Sequence, residues 1–148
     1  EQLARRLAAA AAAAVAVAVA AHGAEAQRLL AGLPGYGDPA GVIGGILFRC
    51  QCLANRSACH LKLGAFTSTV DDAGAAIAAL GTGLVSGDQR SDADALMLKL
   101  LARRGMALCQ LTKYDEAAAD YARAVEIDPD NEQLQADLRM IQAAAQSA

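Results

Sequence analysis

The sequence predicts an all-α chain of antiparallel helical hairpins, stacked side by side and closed by a C-terminal capping helix. Three observations predict it. Alanine is very abundant in a chain that is 55% hydrophobic but only 3% aromatic, and alanine is the strongest helix former and permits close helix contacts. No Val/Ile/Thr run bounded by turns marks a strand, because the short Val15–Val19 stretch lies inside an alanine run. The chain also repeats itself. Shifting it by 48 residues, which takes Asn55 to Arg103, pairs Leu53 with Leu101, Arg56 with Arg104, Ser57 with Gly105 and His60 with Leu108. Leu63 then meets Leu111, and Phe66 meets Tyr114.

The elements follow in order. A helix is expected over 2–22, resuming over 24–32 after the breaker Gly23, as a degenerate Ala-rich first repeat spanning 1–38. Arg5-Arg6, the uncharged run Leu7–Ala21 and AHGAEA also resemble a signal segment over 5–26, as in an exported bacterial protein. The run is too short and alanine-rich for a comfortable membrane span, and the chain begins at Glu1, so a packed interior helix is the plainer expectation. LPGYGDPAG (33–41) is a breaker. The second repeat, 39–80, is expected to place helices over 40–63 and 67–80. GTGLVSGDQRSDAD (81–94) is polar and Gly-rich, and reads as an inserted loop.

The third repeat, 95–130, comes next, with helices expected over 92–111 and 114–127. Gly105 and Ala117 are small so that two helices can approach, while Leu101, Leu108, Leu111 and Tyr121 fill the seam. Asp128-Pro129 ends the second helix, since proline lacks the backbone donor and disfavours helix in the residue before it. The segment 131–148 is expected to cap the stack with a helix over 131–146. Leu134, Leu138 and Ile141 recur there at helical spacing, and Asn131 is its N-cap.

A single domain is expected from 148 residues. The net charge of −3 is mild and gives no basic footprint for nucleic acid. The charge is uneven: acids dominate from Asp115 onward, while 49–64 carries Arg49, Arg56 and Lys62 and no acid. The four cysteines Cys50, Cys52, Cys59 and Cys109 lack the C-x-x-C spacing, and Cys50 and Cys52 point to different helix faces. They are expected to be reduced, buried and apolar in role, as suits a reducing compartment. His22 and His60 are the only histidines, and GVIGG (41–45) has no preceding strand and no following Lys. The chain is therefore expected not to be an enzyme and to carry no cofactor or metal.

The expected site is a groove lined by the first helix of each hairpin, whose exposed face repeats at three- and four-residue steps. That face carries Gln51, Asn55, Ala58 and Lys62 in one helix, and Lys99, Arg103, Met106 and Gln110 in the next. Two cations and an amide converging from Lys99, Arg103 and Asn55 suit a carboxylate, since charge-assisted hydrogen bonds are the strong kind. A merely solvated cationic face is the alternative, and spacing alone leaves both open.

Residues 98–131 resemble the 34-residue tetratricopeptide (TPR) pattern. Leu101 takes its Trp slot, Arg104 its Leu slot, Gly105 its Gly slot and Leu108 its Tyr slot, and Ala117, Tyr121 and Pro129 complete it. The resemblance implies a short right-handed superhelix of TPR-like hairpins that binds another protein.

Asn55, Lys99 and Arg103 are similar in place to the carboxylate clamp of TPR co-chaperones, which holds the acidic C-terminal tail (Glu-Glu-Val-Asp) of heat-shock chaperones. That family also uses a Lys and an Asn from the first repeat, but this chain has no Lys before Lys62 and no Asn before Asn55. Arg5 is a stand-in for the Lys and nothing stands in for the Asn, so either the first helix lies upstream of Glu1 or the clamp is incomplete.

NR-ACHLKL, the long insert and RRG-A-CQL give residues 48–142 a closer resemblance, to the C-terminal TPR domain of the dyslexia-susceptibility, dynein axonemal assembly factor family. It implies a cytoplasmic co-chaperone, with a ciliary location also open, that helps assemble axonemal dynein. No nucleic-acid or membrane partner is expected. The alternatives are a generic TPR scaffold without chaperone binding and the exported protein above.

Overall fold

The computed structural model describes Gln2, residues 39–83, Val85 and residues 87–148. The expected first repeat over 1–38, with its helices over 2–22 and 24–32, and the alternative signal segment over 5–26 lie outside the described residues, Gln2 apart. Among the described residues there are five α-helices and no strand: α1 (Pro39–Lys62), α2 (Phe66–Leu80), α3 (Arg90–Gln110), α4 (Tyr114–Ile127) and α5 (Glu132–Ser147). A 3-10 turn, Gly87–Gln89, precedes α3. The fold is all-α and TPR-like. α1 packs on α2, α3 on α4, and α5 closes the stack against α4, while α3 touches both helices of the preceding hairpin.

Both hairpins turn through the same backbone device. After α1, Gly64 takes a left-handed φ of 72° and Ala65 N–H donates to the His60 carbonyl at 2.9 Å. After α3, Thr112 takes φ 60° and Lys113 N–H donates to the Leu108 carbonyl, also at 2.9 Å. A second bond completes each turn, Gly64 N–H to Leu61 and Thr112 N–H to Cys109. This is the Schellman arrangement, which satisfies carbonyls that a helix end would otherwise orphan. The repeat read from side chains is thus a repeat of backbone geometry.

The seam closes by matched sizes. A Cβ placed on Gly105 would lie 2.5 Å from Tyr121 Cε2, so only glycine admits the ring there. The corresponding pair in the first hairpin, Ser57 and Ala73, is fully buried with the bulk exchanged: a small residue on α2 leaves room for a hydroxyl on α1. Leu101, Leu108, Ala117 and Tyr121 are buried as expected, whereas Leu111 is only half-buried, at the turn. In α5, Ile141 is buried and Leu134 and Leu138 pack on the core with it. Asn131 caps the helix, its Oδ1 accepting from Leu134 N–H at 3.2 Å.

Two expectations need correcting. α3 begins at Arg90, two residues before the helix expected over 92–111 and inside the stretch 81–94 also read as an inserted loop. Its first turns carry Asp92 and Asp94 outward while Ala93, Leu96 and Met97 are buried, and Arg90 Nε meets Asp94 Oδ1 at 3.1 Å one turn on. Val85 of the insert is itself buried in the core cluster.

The cysteines are free, but of the four only Cys50 is buried; Cys109 is intermediate and Cys52 and Cys59 are exposed. The cause is position in the stack. Phe48, Cys52 and Cys59 correspond to Leu96, Leu100 and Ala107, which are buried because α3 has a hairpin before it. Among the described residues α1 has none, and Phe48 is 73% exposed.

Candidate peptide-binding face

α1 and α3 are equivalent helices in contact, so residues 48 apart occupy equivalent places on them. Gln51 corresponds to Lys99, Asn55 to Arg103, Ala58 to Met106 and Lys62 to Gln110. Gln51, Asn55, Lys62, Lys99, Met106 and Gln110 are exposed, and Arg103 is half-buried. Burial of Cys50, Ala54 and Ser57 on α1, and of Leu100, Leu101 and Leu108 on α3, fixes the phase that leaves these side chains out of the core.

Arg103 is the link between the two helices. Its Nη1 donates to the carbonyl of Ala54, the neighbour of Asn55, at 2.7 Å. The guanidinium therefore lies across the junction of the two hairpins beside Asn55, with other N–H groups of its planar fork still available. Ala54 also accepts from Ser57 Oγ at 2.8 Å. On α1, Gln51 Nε2 donates to Asn55 Oδ1 at 3.0 Å. Lys99 stands one turn before Arg103 and is in no ion pair among the described residues. Met106, 43% exposed, adds an apolar surface one turn beyond Arg103. Arg103 reaches the backbone next to Asn55, while Lys62 and Gln110 lie at the far ends of their helices.

Two arginines are committed to carboxylates within the hairpins. Arg56 grips Asp72 through Nε and Nη2, both at 2.6 Å, and Arg104 grips Asp120 through the same atoms at 2.8 and 2.5 Å. Each fork ties the first helix of a hairpin to its second across the same 16-residue spacing. His60 Nε2 stands 3.5 Å from Asp72 Oδ2. The Arg56 guanidinium holds the Asp72 carboxyl below the ordinary carboxylate range, against the opposing pull of burial. These two arginines are structural, and the cations of the expected face, Lys62, Lys99 and Arg103, are in no ion pair among the described residues.

A small cavity of about 220 Å³ lies elsewhere, between the insert and the ends of α2, α3 and α4, floored by Leu80, Val85 and Met97. None of the face residues lines it. Among the described residues no cluster of His, Cys, Asp or Glu could hold a metal ion, and no helix is long and apolar enough to cross a membrane.

Comparison with known proteins agrees with this architecture. Residues 98–131 match the tetratricopeptide repeat family. Over 87 residues, 59% of the chain, the sequence is 39% identical to Dynein axonemal assembly factor 4 of Pongo pygmaeus, Pan paniscus and Rattus norvegicus. The matched stretch is 19% of each relative's length, so the chain spans about a fifth of those proteins. It is a TPR domain resembling that family, and the TPR fold is one that binds other proteins.

Proposed function

We propose that this domain is a co-chaperone adaptor whose α1–α3 face binds the acidic C-terminal tail of a heat-shock chaperone in the cytoplasm. The observation that carries the reading is the Arg103 hydrogen bond to the backbone carbonyl of Ala54, next in sequence to Asn55, with Lys99 unpaired one turn away among the described residues. Such a face offers donors and positive charge and suits a carboxylate. Resemblance to Dynein axonemal assembly factor 4 supports the further proposal that the tail is engaged during axonemal dynein assembly. The domain acts by binding and has no catalytic role.

Calorimetric titration of the whole chain with an acidic peptide tests the reading. The peptide with a free C-terminal carboxylate should bind in the micromolar range and weaken as salt rises, since the contacts are ionic and partly exposed. Its C-terminal amide should bind at least tenfold more weakly. Lys99→Ala, at an exposed side chain with no structural partner among the described residues, should lose as much. Equal affinity for acid and amide, with Lys99→Ala unchanged, overturns the reading.

One observation favours a second reading, a scaffold without chaperone binding. Arg103 already spends an N–H on Ala54 and serves as a clip between hairpins. On that reading Arg103→Ala lowers the melting temperature and leaves partner capture intact.

A further inference from the structure

An asparagine can meet an anion with only one of its two edges. The carboxamide presents an acceptor on one side and two N–H donors on the other, and the two orientations are nearly identical in shape. A carboxylate is welcomed by the donor edge and repelled by the carbonyl. An exposed asparagine on a helix has no intrinsic preference between them, so half its population is turned the wrong way unless something orients it.

In this chain something does. Gln51, one turn before Asn55 on α1, donates from Nε2 to Asn55 Oδ1 at 3.0 Å. That bond occupies the carbonyl and leaves both Nδ2 hydrogens for a ligand. The equivalent places on α3 hold Lys99 and Arg103, side chains that can only donate. The Gln51–Asn55 bond thus gives α1 the donor character that α3 has by composition.

We propose that Gln51 is a positioning residue: it turns the Asn55 amide so that its N–H groups, and not its oxygen, face the bound carboxylate beside Arg103. Gln51 acts through Asn55 and need not touch the ligand. The inference rests on the anion-binding reading of this face, and it assigns that face a preference for deprotonated carboxylate over neutral amide ends.

The test is a double-mutant cycle on the whole chain, read by fluorescence anisotropy with an acidic peptide carrying a free C-terminus. Gln51→Met keeps the side-chain length and removes the bond without altering charge. It should weaken binding about 1.5- to 2-fold, the range of helical i,i+4 amide pairs. In an Asn55→Ala background the same change should have no effect, because the group it orients is gone. Nuclear magnetic resonance gives a second readout. The Asn55 Nδ2 signals of the parent should shift on adding peptide, and those shifts should shrink in Gln51→Met. Equal loss in both backgrounds, or no loss in the parent background, overturns the inference while leaving the binding reading intact. A parent chain that fails to bind any acidic peptide removes both.

Discussion

Arg56 and Arg104 are chemically the same residue in the same place on two hairpins, yet their surroundings assign them different weights. The Arg104 side chain is 26% exposed and Asp120 only 6%, whereas Arg56 is 64% exposed above an Asp72 at 10%. Removing one partner of a buried pair leaves an uncompensated charge. Arg104→Met is therefore expected to cost about 3 kcal/mol in urea unfolding, and Arg56→Met distinctly less. Equal losses would show that burial does not set the cost.

The Asp72 carboxyl, held low by Arg56, adds a pH signature. A carboxyl whose folded value lies below its unfolded value stabilises the fold above the ordinary carboxylate range, and that contribution is lost as pH falls through it. Asp72→Asn should be less stable at neutral pH and show a flatter acid limb in stability measured from pH 7 down to pH 3. An acid limb parallel to the parent's would contradict this. The two Arg–Asp forks were legible in principle. Both pairs have the same spacing and differ by the same shift as the rest of the repeat, but a pattern that expects Leu at Arg104 directs attention away from them.

At the level of elements, the turns and the seam make the sharpest claims. Thr112 is β-branched and sits at φ 60°, where its counterpart is Gly64. The left-handed conformation costs such a residue about 1–2 kcal/mol, and part of that is returned when glycine loses its greater unfolded freedom. Thr112→Gly should raise stability by about 1 kcal/mol, read from the urea midpoint at constant slope. Gly105→Ala should do the opposite. Its methyl would collide with the Tyr121 ring between packed helices, and overpacking of this kind costs about 1–3 kcal/mol. A neutral result there would mean that α3 and α4 are not held at the spacing described.

The helices were legible in sequence because apolar periodicity, small seam residues and the Asp128-Pro129 stop all agree. The start of α3 lies two residues before the helix expected from 92: Arg90 and Ser91 look like part of the polar insert, and the burial of Ala93, Leu96 and Met97 shows that the helix already holds there. The exposure of Cys52 and Cys59 was not readable from phase, since Leu100 and Ala107 flank Arg103 at the same steps and are buried; it follows from place in the stack, which composition does not reveal.

For the whole molecule, stacking is what turns two rows of side chains into one face. Sequence spacing placed Asn55 and Arg103 at equivalent positions on neighbouring helices. It could not anticipate that Arg103 spans two helices to the Ala54 carbonyl, nor that Gln51 occupies the Asn55 oxygen, because both depend on side-chain geometry between turns. The most direct measurement of the central claim is a chemical-shift map of the isotopically labelled chain titrated with an acidic peptide ending in a free carboxylate. The account predicts the largest changes at Asn55, Lys99, Arg103 and Met106, with the cavity residues Val85 and Met97 unmoved. Perturbations centred on that cavity or on α5, with Asn55 and Arg103 silent, would contradict it.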